Sequence, residues 1–192
     1  MPFWSKKSSP KRFRLFFATD VHGSEPTFRK FINAGKIYGV DALVLGGDIT
    51  GKMLIPIIDL GNQTYRATLQ SQTRLFTAEE LPDFEARLGK LGFYSSRMSQ
   101  AEFRSLAEEP AAVTRLFHEK ARQRLVAWLR LAEERLAGTA IRCYVTGGND
   151  DDPEVLEVIQ EEAKDHVVAC EEKLVTLDDE GHQMISLGYS NP

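Results

Sequence analysis

The sequence predicts an α/β fold in which parallel strands alternate with helices. Three short apolar runs have the length and composition of strands buried on both faces, and helical patterns separate them; the runs are residues 15–18, 42–45 and 141–145. Each run ends in a short polar turn that carries acidic residues. With 192 residues, the chain is long enough for one domain with a sizeable core.

Local signals define the first β-α-β unit. Its first strand spans about residues 13–19, and Ser24 can cap the following helix, with Pro26 in the first turn. Gly39 can end this helix, and the second strand begins soon after it. Unbroken apolar strands joined by a helix indicate a parallel pair that is covered on both faces.

The middle of the chain is more polar. Two strand-like runs around Gly61-Asn62 predict a hairpin, with arms at residues 54–60 and 63–69. We interpret residues 60–108 as an insertion over the candidate site, because beyond the hairpin they contain only short helical patterns. A functional lid and a surface elaboration both remain open for this segment.

A long helix and a third strand complete the pattern. Apolar positions recur at helical spacing over residues 110–137, and we interpret this stripe as packing against the sheet. A strand at 141–146 follows, and then a helix that Asp152 caps, with Pro153 at its first position. Short strands are predicted over about residues 166–187.

The charge pattern limits the partners that the chain can have. Its net charge is −4, from 24 basic and 28 acidic residues, which argues against general nucleic-acid binding. Residues 1–12 form a basic tail ahead of a domain at 13–192; we interpret it as a solvated terminus, with a weak tether to a membrane or polyanion as the alternative. No apolar run is long enough for a membrane span, and no signal core follows the tail. The sequence does not predict an oligomeric state.

The two cysteines favour a cytoplasmic protein. Cys143 and Cys170 both fall in predicted strands, so we interpret them as small buried side chains rather than a disulfide or a metal-binding pair. Unbridged cysteines of this kind fit a reducing compartment.

The turns that end the three strands carry the candidate chemistry. In an open α/β sheet the carboxyl ends of parallel strands converge on one crevice, where ligands bind. Asp20 and His22 follow the first strand, and in extended geometry their side chains would share one face and bind one metal together. Oxygen ligands with one imidazole suit divalent metals such as Mn, Fe or Zn.

Asp48 and Asn149 follow the second and third strands, each behind two glycines. Glycines allow a sharp turn and a close approach of the backbone to a ligand. Asp48 can bridge two cations, and the amide oxygen of Asn149 can bind a metal without adding charge. Helix capping is the alternative role for the acidic residues that follow Asn149, and we assign that role to Asp152.

Taken together, these turns resemble the first three motifs of the calcineurin-like metallophosphoesterases, namely Asp-x-His, Gly-Asp and Gly-Asn. The segments ATDVHGS (residues 18–24) and GGDITG (residues 46–51) are similar to predicted phosphoesterases of the branch related to cyclic-nucleotide phosphodiesterases. The resemblance covers most of the chain after the basic tail and is weakest over residues 60–108. It implies a layered αββα sandwich with helices on the outside, of which this chain would be the N-terminal portion, with the C-terminal half absent.

The resemblance also implies a site and a reaction. By position, Asp20 and His22 would bind the first of two divalent metal ions, Asp48 would bridge the two, and Asn149 would bind the second. The implied activity is metal-dependent hydrolysis of a phosphate ester by a two-metal-activated hydroxide, and the branch favours phosphodiesters.

Two departures from the family pattern concern the same site. Asp150 follows Asn149 where the family commonly has a catalytic histidine, so Asp150 is the candidate proton donor, a role that requires a raised pKa. The late Gly-His-x-His of the family is not matched either, because Gly181-His182 is followed by glutamine and methionine.

Two other functions remain open on the sequence. The departures favour a non-catalytic scaffold or binding module that keeps the fold with a degenerate or truncated site. A nucleotide-binding α/β domain without metals is the third reading, and it is the weakest because the chain has no Gly-x-Gly-x-x-Gly turn and no Walker-type lysine motif.

Overall fold

The structure, a computed structural model, describes residues 12–188. The predicted basic tail lies outside these residues except for Arg12, and so does the end of the chain from residue 189 onward. In chain order the elements are β1 (Leu15–Ala18), α1 (Glu25–Tyr38), β2 (Ala42–Gly46), β3 (Leu54–Gly61), β4 (Thr64–Leu69), β5 (Gln72–Thr77), α2 (Leu81–Lys90), β6 (Tyr94–Ser99), α3 (Gln100–Glu108), α4 (Pro110–Leu136), β7 (Arg142–Thr146), α5 (Pro153–Glu162), β8 (Val167–Ala169), β9 (Leu174–Thr176) and β10 (Gln183–Ile185).

Strands β1, β2, β7 and β8 form a four-stranded parallel sheet in that order. Leu45 of β2 pairs with Ala18 of β1 on one side and with Val145 of β7 on the other, so the three predicted strands are neighbours. Helices α1 and α5 both pack beside α4, which places all three on one face of the sheet, as right-handed crossovers between neighbouring strands require. The predicted α/β class is confirmed.

The main core lies between this sheet and its three helices. Leu43 and Leu45 of β2 point into it, whereas Val44 points to the opposite face, because side chains alternate along a strand. Phe28 of α1 stacks on Trp128 of α4 with ring centroids 4.4 Å apart and an interplanar angle of 8°. Such a pair adds about 1 kcal/mol to the stabilisation that comes from burying the two rings.

The β9–β10 hairpin covers part of the opposite face of the sheet. Val175 and Met184 of the hairpin pack against the buried Tyr144 of β7. Strand β1 lies at the edge of the sheet, where Leu15 and Phe17 remain 42% and 58% exposed. The sheet is therefore covered by helices on one face, where Phe16 and Ala18 of the edge strand are partly buried, and the hairpin covers less of the other face.

Helix α4 follows the predicted stripe. It begins at Pro110 and ends at Leu136. Its buried positions are Ala121, Leu125, Trp128, Leu129, Ala132 and Leu136. Despite its 27 residues it carries many charges, and no helix within residues 12–188 combines the length and apolar character needed to cross a membrane.

Residues 54–99 contain a second sheet. Its strand order is β5-β4-β3-β6, with β3 and β6 parallel and the other pairs antiparallel. The predicted hairpin is confirmed as β3 and β4. Helix α2 covers one face, where Leu81 and Leu88 pack against Ile55 and Ile57, and α3 packs beside β3 and β6.

The segment interpreted as an insertion, residues 60–108, supplies most of this second sheet and two of its helices. The sequence does not indicate β5 and β6, because QTRLFT and YSSRMS are polar and lack strict apolar alternation. Both strands form beside partners that offer a full row of backbone hydrogen bonds, and this contribution of the neighbouring strand is not visible in the local sequence.

The cysteines are unbridged, as expected. Cys143 lies in β7 and Cys170 directly after β8, and both are free and buried. Burial raises the pKa of each thiol, so both remain protonated and behave as small apolar side chains.

Candidate metal centre

The turns after β1 and β2 run side by side at the carboxyl edge of the parallel sheet. The N–H of Asp20 donates to the carbonyl of Gly47 over 3.2 Å. The N–H of His22 donates to the carbonyl of Asp48 over 2.9 Å. These bonds continue the β1–β2 pairing beyond the strand ends, so the two turns form one unit.

Asp20, His22 and Asp48 come together in space at this edge. Each offers one ligand atom, and these atoms all lie within 4.8 Å of one another. The Nε2 of His22 lies 3.4 Å from Oδ1 of Asp20. Two strand ends therefore bring together side chains that are far apart in sequence, as the convergence of parallel strands predicts.

The backbone conformation of these residues differs from the prediction. Asp20, His22 and Asp48 have φ angles of 57°, 44° and 50°, in the left-handed region. Such angles are uncommon for residues other than glycine and concentrate at functional sites where the surrounding structure holds them. The expectation of an extended Asp20-x-His22 pair is wrong, because the chain leaves the strand at this point and follows the turn after β2 instead.

The imidazole of His22 has an unsatisfied atom. Among the residues from 12 to 188, nothing accepts from or donates to its buried Nδ1. A buried polar atom without a partner costs about 1–3 kcal/mol, and native proteins contain few of them. Nε2 is the nitrogen that faces Asp20, so it is the one that could share a cation with that carboxylate, and Nδ1 on the other side of the ring lacks a partner.

Asn149 lies in the turn after β7, beside Asp48. The N–H of Asp150 donates to Oδ1 of Asp48 over 3.2 Å. A Cβ at Gly148 would lie 2.3 Å from the same oxygen, so only glycine permits this approach. The residues on both sides of Asn149 thus contact Asp48, while its own exposed amide Nδ2 lies 3.5 Å from Oδ1 of Asp150.

Asp150 forms an ion pair with Lys52 at the rim of the cluster. The Lys52 ammonium contacts Oδ2 of Asp150. This hydrogen bond lowers the pKa of Asp150. It also raises the pKa of Lys52, and the nearby charges of Asp48 and Asp20 add to that effect. A carboxylic acid that donates a proton near neutral pH needs a raised pKa, so the shift is opposite to the one that the predicted role of Asp150 requires.

Asp151 ties the turn after β7 to the turn after β2. Its buried carboxylate accepts from the N–H groups of Gly148, Ile49 and Thr50, over 3.0, 3.0 and 2.8 Å. It also accepts from the Thr50 hydroxyl over 2.7 Å. Hydrogen bonds to a charged acceptor contribute about 1.5–3 kcal/mol each, so Asp151 fixes the backbone on which Asp48 sits.

The three consecutive acids after Asn149 therefore do three different things. Asp150 binds Lys52, Asp151 joins the turns, and Asp152 caps α5 by accepting from the N–H of Glu154 over 2.9 Å. The capping role predicted for Asp152 is confirmed. The sequence signal for Asp151 is only its place in this acidic run, because two of its three partner residues, Ile49 and Thr50, lie about a hundred residues earlier (separations of 102 and 101).

A junction with the second sheet supports the turn of His22. A Cβ at Gly92, which has φ of 80°, would lie 1.8 Å from the carbonyl oxygen of His22. Arg124 of α4 donates to the carbonyls of Gly23 and Phe93, both over 2.9 Å. The signal for Arg124 in the sequence is a charged residue directly beside the apolar stripe of α4.

The end of β8 brings one more carboxylate to this edge. Glu171 accepts from the hydroxyl of Thr146, at the end of β7, and from the N–H of Gly188 over 2.8 Å. Its oxygens are thus engaged by neighbouring chain segments rather than directed at the cluster of Asp20, His22 and Asp48.

Two of the other histidines make contacts of their own. His118 of α4 lies between Asp152 and Glu154, at 3.1 and 3.3 Å. Nδ1 of His166 lies 3.0 Å from the carbonyl oxygen of Ile141. Both join neighbouring elements of the fold.

His182 lies at the opposite edge of the sheet from the candidate site. Its Nδ1 is 2.6 Å from Oδ2 of Asp178, in the turn between β9 and β10. Its ring lies 6.0 Å from that of Phe13, which precedes β1 and so marks the amino edge of the parallel sheet. His182 therefore does not join the residues that end the parallel strands.

No protein-family model matches the chain, and neither curated proteins nor solved structures give a match. The functional proposal therefore depends on the geometry of the site and on the resemblance of its motifs.

Proposed function

We propose that this chain is a metal-dependent phosphoester hydrolase of the phosphodiesterase type, related to the calcineurin-like metallophosphoesterases. The observation that carries the proposal is the convergence of Asp20, His22 and Asp48 from two separate strand ends. Their order along the chain and their positions after β1 and β2 agree with the family's motifs. The same proposal treats the parallel sheet as one half of an αββα sandwich.

The chemistry of these residues fits a pair of divalent cations. Asp20 and His22 would hold one ion, Asp48 would lie between the two, and Asn149 would hold the other, with Mn, Fe or Zn as the matching metals. The left-handed φ angles of Asp20, His22 and Asp48 support this assignment, because such backbone costs free energy and is concentrated at functional sites. Bound divalent cations polarise phosphoryl oxygens and lower the pKa of water.

The chain's own side chains set the charge and geometry around the phosphate. Asp151 joins the turn that carries Asp48 to the turn that carries Asn149. Lys52 supplies a positive charge at the rim. Asp150 stays the candidate catalytic residue by its place after Asn149; its ion pair with Lys52 lowers its pKa, so proton donation would require that pair to break.

The non-catalytic scaffold is the second candidate, and the contacts of the histidines favour it. His118, His166 and His182 are engaged with their own partners, so His22 is the one histidine of the chain's four that lies in the cluster. Metal analysis of the purified chain separates the two candidates. About two tightly bound ions per chain support the hydrolase, and none supports the scaffold.

The direct test is turnover of bis-p-nitrophenyl phosphate with added manganese, in the wild type and in Asp48→Asn. We expect the substitution to lower the rate more than about 100-fold, because it removes a carboxylate that both cations would share while preserving side-chain size. The release of p-nitrophenolate measures the rate.

Asp179→Asn is the matched control. It removes one carboxylate from the exposed turn after β9, and its rate should equal that of the wild type. Equal rates in the wild type and Asp48→Asn would reject the role of Asp48.

A further inference from the structure

We propose that Lys52 binds a phosphoryl oxygen of the substrate and that Asp150 selects the charge of that phosphate, because its carboxylate disfavours a doubly charged phosphomonoester relative to a singly charged phosphodiester. The inference rests on the proposed phosphoesterase function. It assigns phosphate binding to Lys52 and the choice between phosphate classes to Asp150.

The placement of Lys52 is built into the fold. Gly51, the residue before it, donates its N–H to the hydroxyl of Tyr94 over 2.7 Å, and Tyr94 is buried. A Cβ at Gly51 would lie 1.9 Å from the carbonyl oxygen of Gly92, so the backbone has no room to shift in that direction. The Lys52 side chain starts from this fixed point and reaches Asp150 across the rim of the cluster.

The exposure of the two side chains leaves them accessible to a ligand. Lys52 and Asp150 have side-chain exposures of 56% and 37%, and their contact is the only ion pair of either residue found within residues 12–188. An exposed ammonium is a compact point charge with three donors, which suits one phosphoryl oxygen better than a bidentate contact. A phosphate that approaches the cluster can therefore take Asp150's place on Lys52.

The carboxylate of Asp150 then decides between phosphate classes. A diester carries one negative charge and a monoester carries two at mildly alkaline pH. Asp150 is anchored beside Asp48 through its N–H, so it remains close to the phosphate after Lys52 has changed partners. One added negative charge at a few ångströms from a partly solvated carboxylate weakens binding by about fivefold to tenfold.

Binding of two phosphonates to the manganese-loaded full chain tests the inference without requiring turnover. Phenylphosphonate carries two negative charges at mildly alkaline pH, and its methyl monoester carries one. In Asp150→Asn we expect the affinity for phenylphosphonate to rise about fivefold to tenfold relative to that for the monoester. In Lys52→Met we expect the affinity for the monoester to fall about fivefold to tenfold and that for phenylphosphonate to fall further, because phenylphosphonate carries the greater charge. Calorimetry measures each dissociation constant.

Three controls make the outcome decisive. Asp179→Asn should leave the ratio of the two affinities unchanged, and unfolding curves establish that the exposed Lys52 and Asp150 variants fold. In the Lys52→Met background, Asp150→Asn should still raise the ratio, because the repulsion comes from the carboxylate itself. An unchanged ratio in Asp150→Asn, or wild-type affinities in Lys52→Met, overturns the inference even if the diester is hydrolysed and Asp48→Asn is inactive. If the wild type shows no manganese-dependent turnover of the diester, the proposed hydrolase function is rejected instead.

Discussion

Two clusters of the same composition lie at opposite edges of the parallel sheet. The sheet-edge cluster is Asp20, His22 and Asp48, and the hairpin cluster is Asp178, Glu180 and His182. In each, one histidine and two carboxylates place ligand atoms within 4.8 Å of one another. Composition and spacing alone would rate the two clusters as equal.

Their supporting structures differ. The hairpin cluster comes from one short turn, where Asp178 accepts from the N–H groups of Glu180 and His182 and from Nδ1 of His182. Its polar atoms are satisfied locally. The sheet-edge cluster draws on two turns separated by a helix and a strand, and its residues adopt left-handed backbone angles.

The difference shows what separates a candidate site from a capped turn. In the hairpin cluster the Asp178 carboxylate accepts hydrogen bonds only from residues of its own turn, so it stabilises that turn alone. In the sheet-edge cluster the left-handed backbone of His22 and Asp48 is held by hydrogen bonds between separate turns, and this is a pattern found at functional sites.

Removing the Asp151 carboxylate, which joins the turns after β2 and β7, should have the largest effect, and the effect is on the free energy of unfolding. Asp151→Ala leaves several buried N–H groups without acceptors, and we expect the free energy of unfolding to fall by about 3 kcal/mol or more. In the hairpin cluster, Asp178→Ala should lower the free energy of unfolding by much less, because water can replace the lost bonds. Urea unfolding of both variants measures the comparison, and equal losses would mean that the two carboxylates play the same role.

Affinity for a divalent cation should separate the clusters next. Asp20→Asn is expected to weaken Mn²⁺ binding by about 10–100-fold, since it removes a charged ligand. Asp178→Asn should leave that affinity at the wild-type value. Calorimetric titration of Mn²⁺ into each protein measures these affinities. If only Asp178→Asn binds Mn²⁺ more weakly than the wild type, the ion binds at the hairpin cluster and not at the sheet-edge cluster.

The smallest expected effect is a pH dependence confined to the hairpin cluster. The hydrogen bond to Asp178 raises the pKa of His182 above its ordinary value of 6.5. Burial opposes the shift of Asp178, but the hydrogen bonds from His182 outweigh it and lower the Asp178 pKa below 3.8. The pair's contribution is therefore complete between pH 3.8 and 6.5, fades as pH rises through the folded pKa of His182, and fades as pH falls through that of Asp178.

The difference in unfolding free energy between the wild type and His182→Gln, followed across pH, measures this contribution. It should be largest in that window and disappear at alkaline pH. An NMR titration that places the pKa of His182 at or below the ordinary value would contradict the pairing.

The parts of the fold that the sequence predicts are those with strong local signals. Strands β1, β2 and β7 are continuous apolar runs, and α4 has apolar residues at helical spacing, so each can be predicted from a short stretch of sequence. Strands β5 and β6 do not, because their stability comes from pairing with neighbours.

The candidate site divides in the same way. The convergence of Asp20 and Asp48 follows from parallel topology, which the apolar runs indicate. Other features of the site could not be predicted. Asp151 and Lys52 each contact segments about a hundred residues away in sequence. The left-handed turn depends on hydrogen bonds to the turn after β2, which no local window contains. Long-range contacts of this kind leave no periodic trace in a single sequence.

The contact between Gly92 and His22 constrains how this protein can vary. Any larger residue at position 92 would drive its first side-chain carbon into the His22 carbonyl, so a change in the second sheet would be transmitted to the sheet edge. A substitution at position 92 would therefore displace the backbone of the cluster although it lies outside the cluster. We expect position 92 to accept no residue other than glycine while the sheet edge keeps this geometry.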